Sequence, residues 1–406
     1  MDLTPGPFPK KEGGDWFLYH SQLWQFTQLM SHIPPTILDA RVLSGSGGGP
    51  DKTLINSPPF LARHGYRMLC AYLHDPDDPG FEVLRRKAEV AGTSLISVAD
   101  RGPLDWRVIP RLIEICRRER VWAWHGHDYK TNALGLVLKR FHPMRLVTTA
   151  HGWVHRTRKT PIYYGIDRAC LRYYEKVICV SEDLVRECRR AGVAKSRCEL
   201  LENGIDGNVF RRTRTTREAR AALGFPEGLT IGAVGRLSTE KGFDILIRAV
   251  DRLLTNGMDV HLFVAGEGPE HDALTRLITD LKREERIRLL GYRSDLIPLY
   301  ESMEVYALSS YREGLPNVLL EAMAMEVSVV ATRVNGVPRL VTHGQTGELV
   351  EPGSVEPMAE ALRRVLGDAE LQERYKAAGR QVVETRYSFA ERMSKLARMY
   401  GEMKRR

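Results

Sequence analysis

The chain of 406 residues has no apolar run approaching 18 residues, so no helical membrane span is expected. Its start, MDLTPGPFPKKEGGDW, lacks the basic-then-apolar order of a secretion signal, and a cytoplasmic protein is the expectation. There is no C-x-x-C pair. Cys70, Cys116, Cys170, Cys179, Cys188 and Cys198 are scattered over apparent core elements, which favours reduced structural thiols over disulfides or a zinc site. No repeat of fixed period, zinc-finger spacing or RNA-binding signature is present, and nucleic acid is not an expected partner. The common phosphate signatures also fail. Counted from Gly45, the second glycine of G-x-x-x-x-G-K is Pro50, and in GEGPEH (266–271) His271 takes the last glycine position of G-x-G-x-x-G. The second failure counts against a nicotinamide oxidoreductase.

The composition, 43% hydrophobic and 27% charged, is that of an ordinary soluble globular protein, and the length suits two domains. A net charge of +9 points to an anionic partner. Basic and acidic residues are mixed, which suits phosphorylated substrates or peripheral contact with an anionic membrane, on its inner face.

Residues 1–35 form an extension in which Trp16, Tyr19, Leu23, Phe26 and Met30 recur at helical spacing. From Ile37 short apolar strands alternate with amphipathic helices: TILDARVL, YRMLCAYL, TSLISV, VWAWHGH, RLVTTAHG and KVICVS. A second series runs TIGAV, VHLFVAG, RIRLLG, VYALSS, VSVVATRV and GELVEP, after the polar stretch RRTRTTREARAALGFPEG, which reads as the linker. The fold class is therefore α/β, with doubly wound parallel sheets. The expected division is a first domain over 1–208, a second over 209–385 and a C-terminal helix over 386–406.

The second half holds the most informative chemistry. Arg236 and Lys241 in GRLSTEKG fall between the strand TIGAV and the helix starting near Asp244, at the carboxyl edge of a sheet, where open α/β folds bind ligands. Glu313 and Glu321 flank a loop, Gly314 to Pro316, that runs into a helix at Asn317. Glu321 then lies roughly 7–8 Å along that helix from Glu313. A phosphate fits between them on the free N–H groups around Leu315, Asn317 and Val318, and each carboxylate is left to accept from a hydroxyl. Two cations and two carboxylates suit a diphosphate with hydroxyl-rich rings at either end, as in a nucleotide-sugar. Read singly, each of these four is an ordinary surface charge.

In the first half, SGSGGGPDK (44–52) follows a strand. Gly48 and Gly49 permit close backbone approach and Lys52 could meet a phosphate, although a plain flexible turn accounts for the glycines equally well. His125, His127 and His151 follow strands, but no H-E-x-x-H spacing or carboxylate set accompanies them, and no metal is expected. Asn203 and Gly204 in ENGID read as a tight turn. Arg156, Arg158 and Lys159 form a basic cluster that could hold anionic lipid or a lipid-linked phosphate.

GRLSTEKG, VAGEGPE, RLLGYRSD, SSYREGLPNVLLEAMAMEVSVVAT and GELVEPGS, over about residues 228 to 360, resemble in order the C-terminal half of the family 4 retaining glycosyltransferases. The resemblance implies the GT-B fold, two Rossmann-like domains facing a cleft, with the C-terminal helix crossing back to brace the first. It implies that Arg236 and Lys241 bind the donor diphosphate, that Glu313 contacts the donor sugar and Glu321 the ribose, and that His151 stands at the reacting face. Gly48, Gly49, Lys52, His127 and Asp128 would line the cleft from the acceptor side. The implied reaction is front-face transfer, with retention, from a nucleotide-diphosphate sugar to a glycan or lipid-linked acceptor, with no metal or other cofactor. A sugar phosphorylase, a nucleotide-sugar epimerase and a non-catalytic sugar-nucleotide sensor are the alternatives.

Overall fold

The computed structural model describes residues 34–43, 45, 47–151 and 160–405. The N-terminal helical face and the basic cluster at Arg156, Arg158 and Lys159 lie outside the described residues.

The first lobe is a seven-stranded parallel sheet in the order β3-β2-β1-β4-β5-β6-β7. Its strands are β1 (Thr36–Val42), β2 (Arg67–His74), β3 (Leu95–Ala99), β4 (Val121–Gly126), β5 (Arg145–Ala150), β6 (Lys176–Cys179) and β7 (Cys198–Leu200). The second lobe is a six-stranded parallel sheet, β10-β9-β8-β11-β12-β13. It is built from β8 (Leu229–Val234), β9 (Val260–Ala265), β10 (Ile287–Leu289), β11 (Val305–Leu308), β12 (Ser328–Thr332) and β13 (Glu348–Val350).

Helices cover both faces of each sheet, so the strands read as near-continuous apolar runs. In β1, Leu38 and Ala40 face one core with Trp124, Leu112 and Leu146, while Ile37 faces the other with Ala123, Val147 and Ile178. In the second lobe the Phe243–Thr255 helix buries Leu246, Ile247, Val250 and Leu253, a stripe at helical spacing, against Val260, Leu262 and Val264. Each such side chain contributes about 1.5–3 kcal/mol by leaving water.

Both sheets reverse their winding between two central strands, β1 and β4 in the first lobe and β8 and β11 in the second. Loops leaving the carboxyl ends of these four strands line the crevices where such sheets take ligands. They carry Gly48, His127, Arg236, Lys241 and Glu313, and Lys52 lies in the first turn of the Gly49–Ala62 helix that follows the β1 loop.

Residues 211–228, read from sequence as a polar linker, hold a helix, Thr216–Leu223, capped by Thr215 and closed by Gly224. The stretch is docked. The buried Glu301 accepts from Thr213 N at 2.7 Å and Arg214 Nε at 3.0 Å, and Arg220 pairs with Glu304. After the Ala369–Arg386 helix of the second lobe, the chain returns in the Phe389–Arg405 helix. That helix buries Phe389, Met393, Leu396, Met399 and Tyr400 on the first sheet, against Ile37, Val147 and Ile178. No helix among the described residues is long and apolar enough to cross a membrane.

Candidate active site

In the second lobe, backbone packs on backbone around the loops after β8 and β11. A Cβ on Gly242, whose φ is +60°, would stand 2.4 Å from Ser309 O, and one on Gly336 would stand 1.9 Å from Gly314 O. The two loops are also tied by hydrogen bonds, Tyr311 N to Glu240 O at 2.8 Å and Ser309 Oγ to Lys241 O at 2.9 Å. This holds Lys241 against Glu313. Lys241 Nζ donates to Glu313 Oε1 at 2.7 Å, and Ser310 Oγ donates to the same oxygen at 2.6 Å, so Oε2 is left to accept. The Arg236 side chain is exposed at the start of its loop.

The helix that follows spans Asn317–Ala324, starting where expected, with Pro316 in an extended conformation just before it. Leu319 N and Leu320 N both donate to Pro316 O, while the amides of Asn317 and Val318 precede any helical acceptor. The Asn317 Oδ1 atom is buried without a partner. Glu321, on the fifth residue of this helix, is fully buried, which excludes an ordinary surface charge. Its Oε2 accepts from the Tyr300 hydroxyl at 2.9 Å. Leu315 is 5% exposed, and its carbonyl accepts from Asn203 Nδ2 of the first lobe at 3.2 Å, so ENGID does more than turn the chain. The Val318 carbonyl accepts from Tyr300 OH at 3.3 Å.

The glycine loop of the first lobe meets this helix. Gly48 N donates to Asp51 Oδ2 at 2.7 Å, and the Gly49–Ala62 helix begins. A Cβ on Gly49 would stand 3.1 Å from Asn317 Nδ2. Lys52 Nζ reaches across to Glu321 Oε1 at 2.7 Å, joining an exposed lysine to a carboxylate whose side chain is 1% exposed. Lys52 thus sits against Glu321 of the other lobe, the residue that the resemblance makes the ribose carboxylate. Further contacts between lobes are Arg339 with Glu202 at 2.9 Å and Lys87 Nζ with Tyr292 OH at 2.6 Å.

His125 is a core residue: Nδ1 meets Tyr400 OH at 2.7 Å and Nε2 meets Thr149 Oγ1 at 2.8 Å. His127 is buried, with Nε2 bonded to Asp39 Oδ1 and Nδ1 3.0 Å from His151 Nε2. His151 itself is partly exposed at the end of β5. Asp128 is occupied by the backbone: Oδ1 accepts from Lys130 N and Thr131 N, and Oδ2 from Val42 N at 2.8 Å. No carboxylate-rich set accompanies the histidines in sequence, yet Asp39 on β1 lies beside two of them. With His125 and His127 it forms a group able to hold a metal ion by proximity, but the His127–Asp39 bond and the partners of His125 already use the donor atoms.

Burial dominates the electrostatics here. It raises Asp39 from 3.8 to about 6, against His125, Arg392 and Arg41, and lowers His125 and His127 from 6.5 to about 3. His151 is pushed well below its ordinary value by burial and by Arg41. Asp39, Tyr300, Arg392 and Tyr400 were missed from sequence. A usable signal was there for Asp39, an acid in the middle of the apolar strand TILDARV.

Two family models match consecutive stretches, Glycosyltransferase Family 4 over residues 48–208 and Glycosyl transferases group 1 over 215–382. N-acetyl-alpha-D-glucosaminyl L-malate synthase of Bacillus anthracis is 26% identical over 76% of this chain and 82% of its own. The capsular polysaccharide biosynthesis glycosyltransferase CapM of Staphylococcus aureus is 28% identical over 73% of this chain and 81% of its own. Among solved structures, Anabaena HepE in complex with UDP-glucose superposes with a TM-score of 0.77 at 22% identity, covering 90% of this chain and 99% of that one. Two matching halves in the right order, on two facing Rossmann-like sheets, show that this chain belongs to the family 4, group 1 glycosyltransferases and has their GT-B fold.

Proposed function

We propose that the protein transfers a sugar, with retention of configuration, from a nucleotide-diphosphate sugar to a glycan or lipid-linked acceptor in bacterial polysaccharide, glycolipid or cell-envelope glycan synthesis. The donor belongs to the second lobe and the acceptor to the first. The observation that carries the reading is the meeting of Lys241 with Glu313 and of Lys52 with Glu321 on either side of the free helix start at Asn317.

Each residue has a chemical task in this reading. Tyr300 holds Glu321 Oε2, so the ribose hydroxyls exchange with Lys52 at Oε1, and the released ammonium turns to the diphosphate beside it. Glu313 Oε2 accepts from a hydroxyl of the transferred sugar while Oε1 stays on Lys241 and Ser310. Lys241, Lys52, Arg236 and the amides of Leu315, Asn317 and Val318 balance the charge of the departing diphosphate. A unit charge pair near 4 Å is worth about 4 kcal/mol at an effective dielectric of 20, before desolvation, against about 1 kcal/mol net for a neutral hydrogen bond. Two placed ammonium groups therefore outweigh any single hydroxyl contact, and charge balance is assigned to the protein without a metal.

The reading draws further support from the relatives, whose names place them in capsular polysaccharide and glucosaminyl malate synthesis, and from the fold neighbour complexed with UDP-glucose. The test is turnover of uridine, guanosine and adenosine diphosphate sugars in EDTA, with the product anomer read by NMR. Transfer with the donor's anomeric configuration is expected. An inverted product, or dependence on divalent metal, contradicts the reading.

A further inference from the structure

A row of three side chains leads from the middle of the first sheet to its carboxyl edge. Asp39 lies on β1, His127 just past β4 and His151 just past β5. His127 Nε2 bonds Asp39 Oδ1, and His127 Nδ1 lies 3.0 Å from His151 Nε2. The rings of His127 and His151 meet edge to edge, with centroids 5.4 Å apart and planes 23° apart, so a flip of either ring breaks the row.

We infer that Asp39 and His127 are positioning residues that fix His151 as its Nε2–H tautomer and leave its Nδ1 as a hydrogen-bond acceptor for a hydroxyl of the transferred sugar. The direction of the row follows from donor and acceptor chemistry. An ionised carboxylate only accepts, so His127 Nε2 carries the proton it gives to Asp39. A neutral imidazole has one N–H, so His127 Nδ1 must accept, and His151 Nε2 must donate to it. The remaining nitrogen of His151 then holds a lone pair. Burial keeps His127 neutral, drawing it down to about 3, and Asp39, at about 6, is ionised at pH 7.5. Arg41 and the buried Arg392 favour its negative charge; Arg392 is anchored on Glu202 O at 3.1 Å. His125, 3.8 Å from Asp39, has both ring nitrogens engaged by Tyr400 and Thr149 and stands outside the row. The helix that crosses back from the second lobe therefore supplies two groups, Arg392 and Tyr400, to the surroundings of the reacting edge.

The inference depends on the glycosyl-transfer reading only for what meets His151 Nδ1. The tautomer itself is measurable without donor. Two-bond 1H–15N spectra of histidine-labelled protein at pH 7.5, assigned by His151→Gln, should show His151 protonated at Nε2 alone. In Asp39→Asn the amide both donates and accepts, and in His127→Phe the acceptor is gone, so both variants should give mixed tautomers of His151 and a drop in kcat of about tenfold. Thr149→Val, which removes the hydroxyl bonded to His125 Nε2, should leave the His151 tautomer unchanged. A wild-type His151 protonated at Nδ1, or an unchanged tautomer in both Asp39→Asn and His127→Phe, overturns the inference. Failure of wild-type turnover on every donor, with these spectra as expected, sinks the transfer reading and spares the tautomer.

Discussion

At the scale of single residues, the site is a set of charges arranged in pairs. Lys241 is held on Glu313 and Lys52 on Glu321, each at 2.7 Å, so each carboxylate already has a counter-charge before any phosphate arrives. Hydrogen bonds to charged groups are worth about 1.5–3 kcal/mol, so Lys241→Ala should lower kcat/KM roughly 10- to 100-fold. Glu313→Ala should act mainly on kcat and Glu321→Ala on donor affinity, and steady-state kinetics separates the two. The histidine cluster sets a pH dependence of stability. His125 and His127, drawn down to about 3, contribute in full above pH 6.5 and lose that contribution as pH falls. Asp39, raised to about 6, works in the opposite sense between pH 6 and 3.8, because its native form holds the proton more tightly. Two histidines outweigh one aspartate, so the melting temperature should fall from pH 6.5 to 4.5, as scanning calorimetry at fixed ionic strength would show; a flat profile contradicts the burial argument.

At the scale of elements, close backbone contact fixes the loops that carry the charges. Gly336 faces Gly314 O, and Gly336→Ala forces the loop after β11 away from it, at a cost of about 1–3 kcal/mol. Urea unfolding should register that loss. Unchanged stability would mean the loop adjusts freely. Twelve of the strands were legible because parallel strands covered on both faces read as apolar runs, as in TIGAV and VSVVAT. β7 was not, since Cys198–Leu200 is too short to show a pattern. The Thr216–Leu223 helix was hidden by the arginines in and before it, because Arg220 docks on Glu304 and Arg214 on Glu301, each more than 80 positions away.

At the scale of the whole molecule, the contacts between the two lobes include residues proposed to bind the donor, Lys52 with Glu321 among them. The charges in GRLSTEKG and EGLPNVLLE were readable from local pattern, because strand, loop and helix follow one another in sequence. Lys52 against Glu321, 269 residues apart, and Asp39 beside His127, 88 apart, were not, because only the assembled sheet and the approach of the lobes create them. If the Lys52 pair helps hold the lobes together, Lys52→Ala should shift donor-free protein toward a larger radius of gyration in small-angle scattering. Donor binding should restore the compact form, and an unchanged radius without donor contradicts that role.

The most direct measurement is isothermal titration calorimetry of uridine, guanosine and adenosine diphosphate sugars against wild-type protein and against an Arg236→Ala, Lys241→Ala double variant. Binding of at least one donor by the wild type is expected, weakened roughly 100-fold or more when both cations are removed. Equal affinity in the two proteins, or no binding of any donor by the wild type, would show that the second lobe does not hold a diphosphate through these side chains.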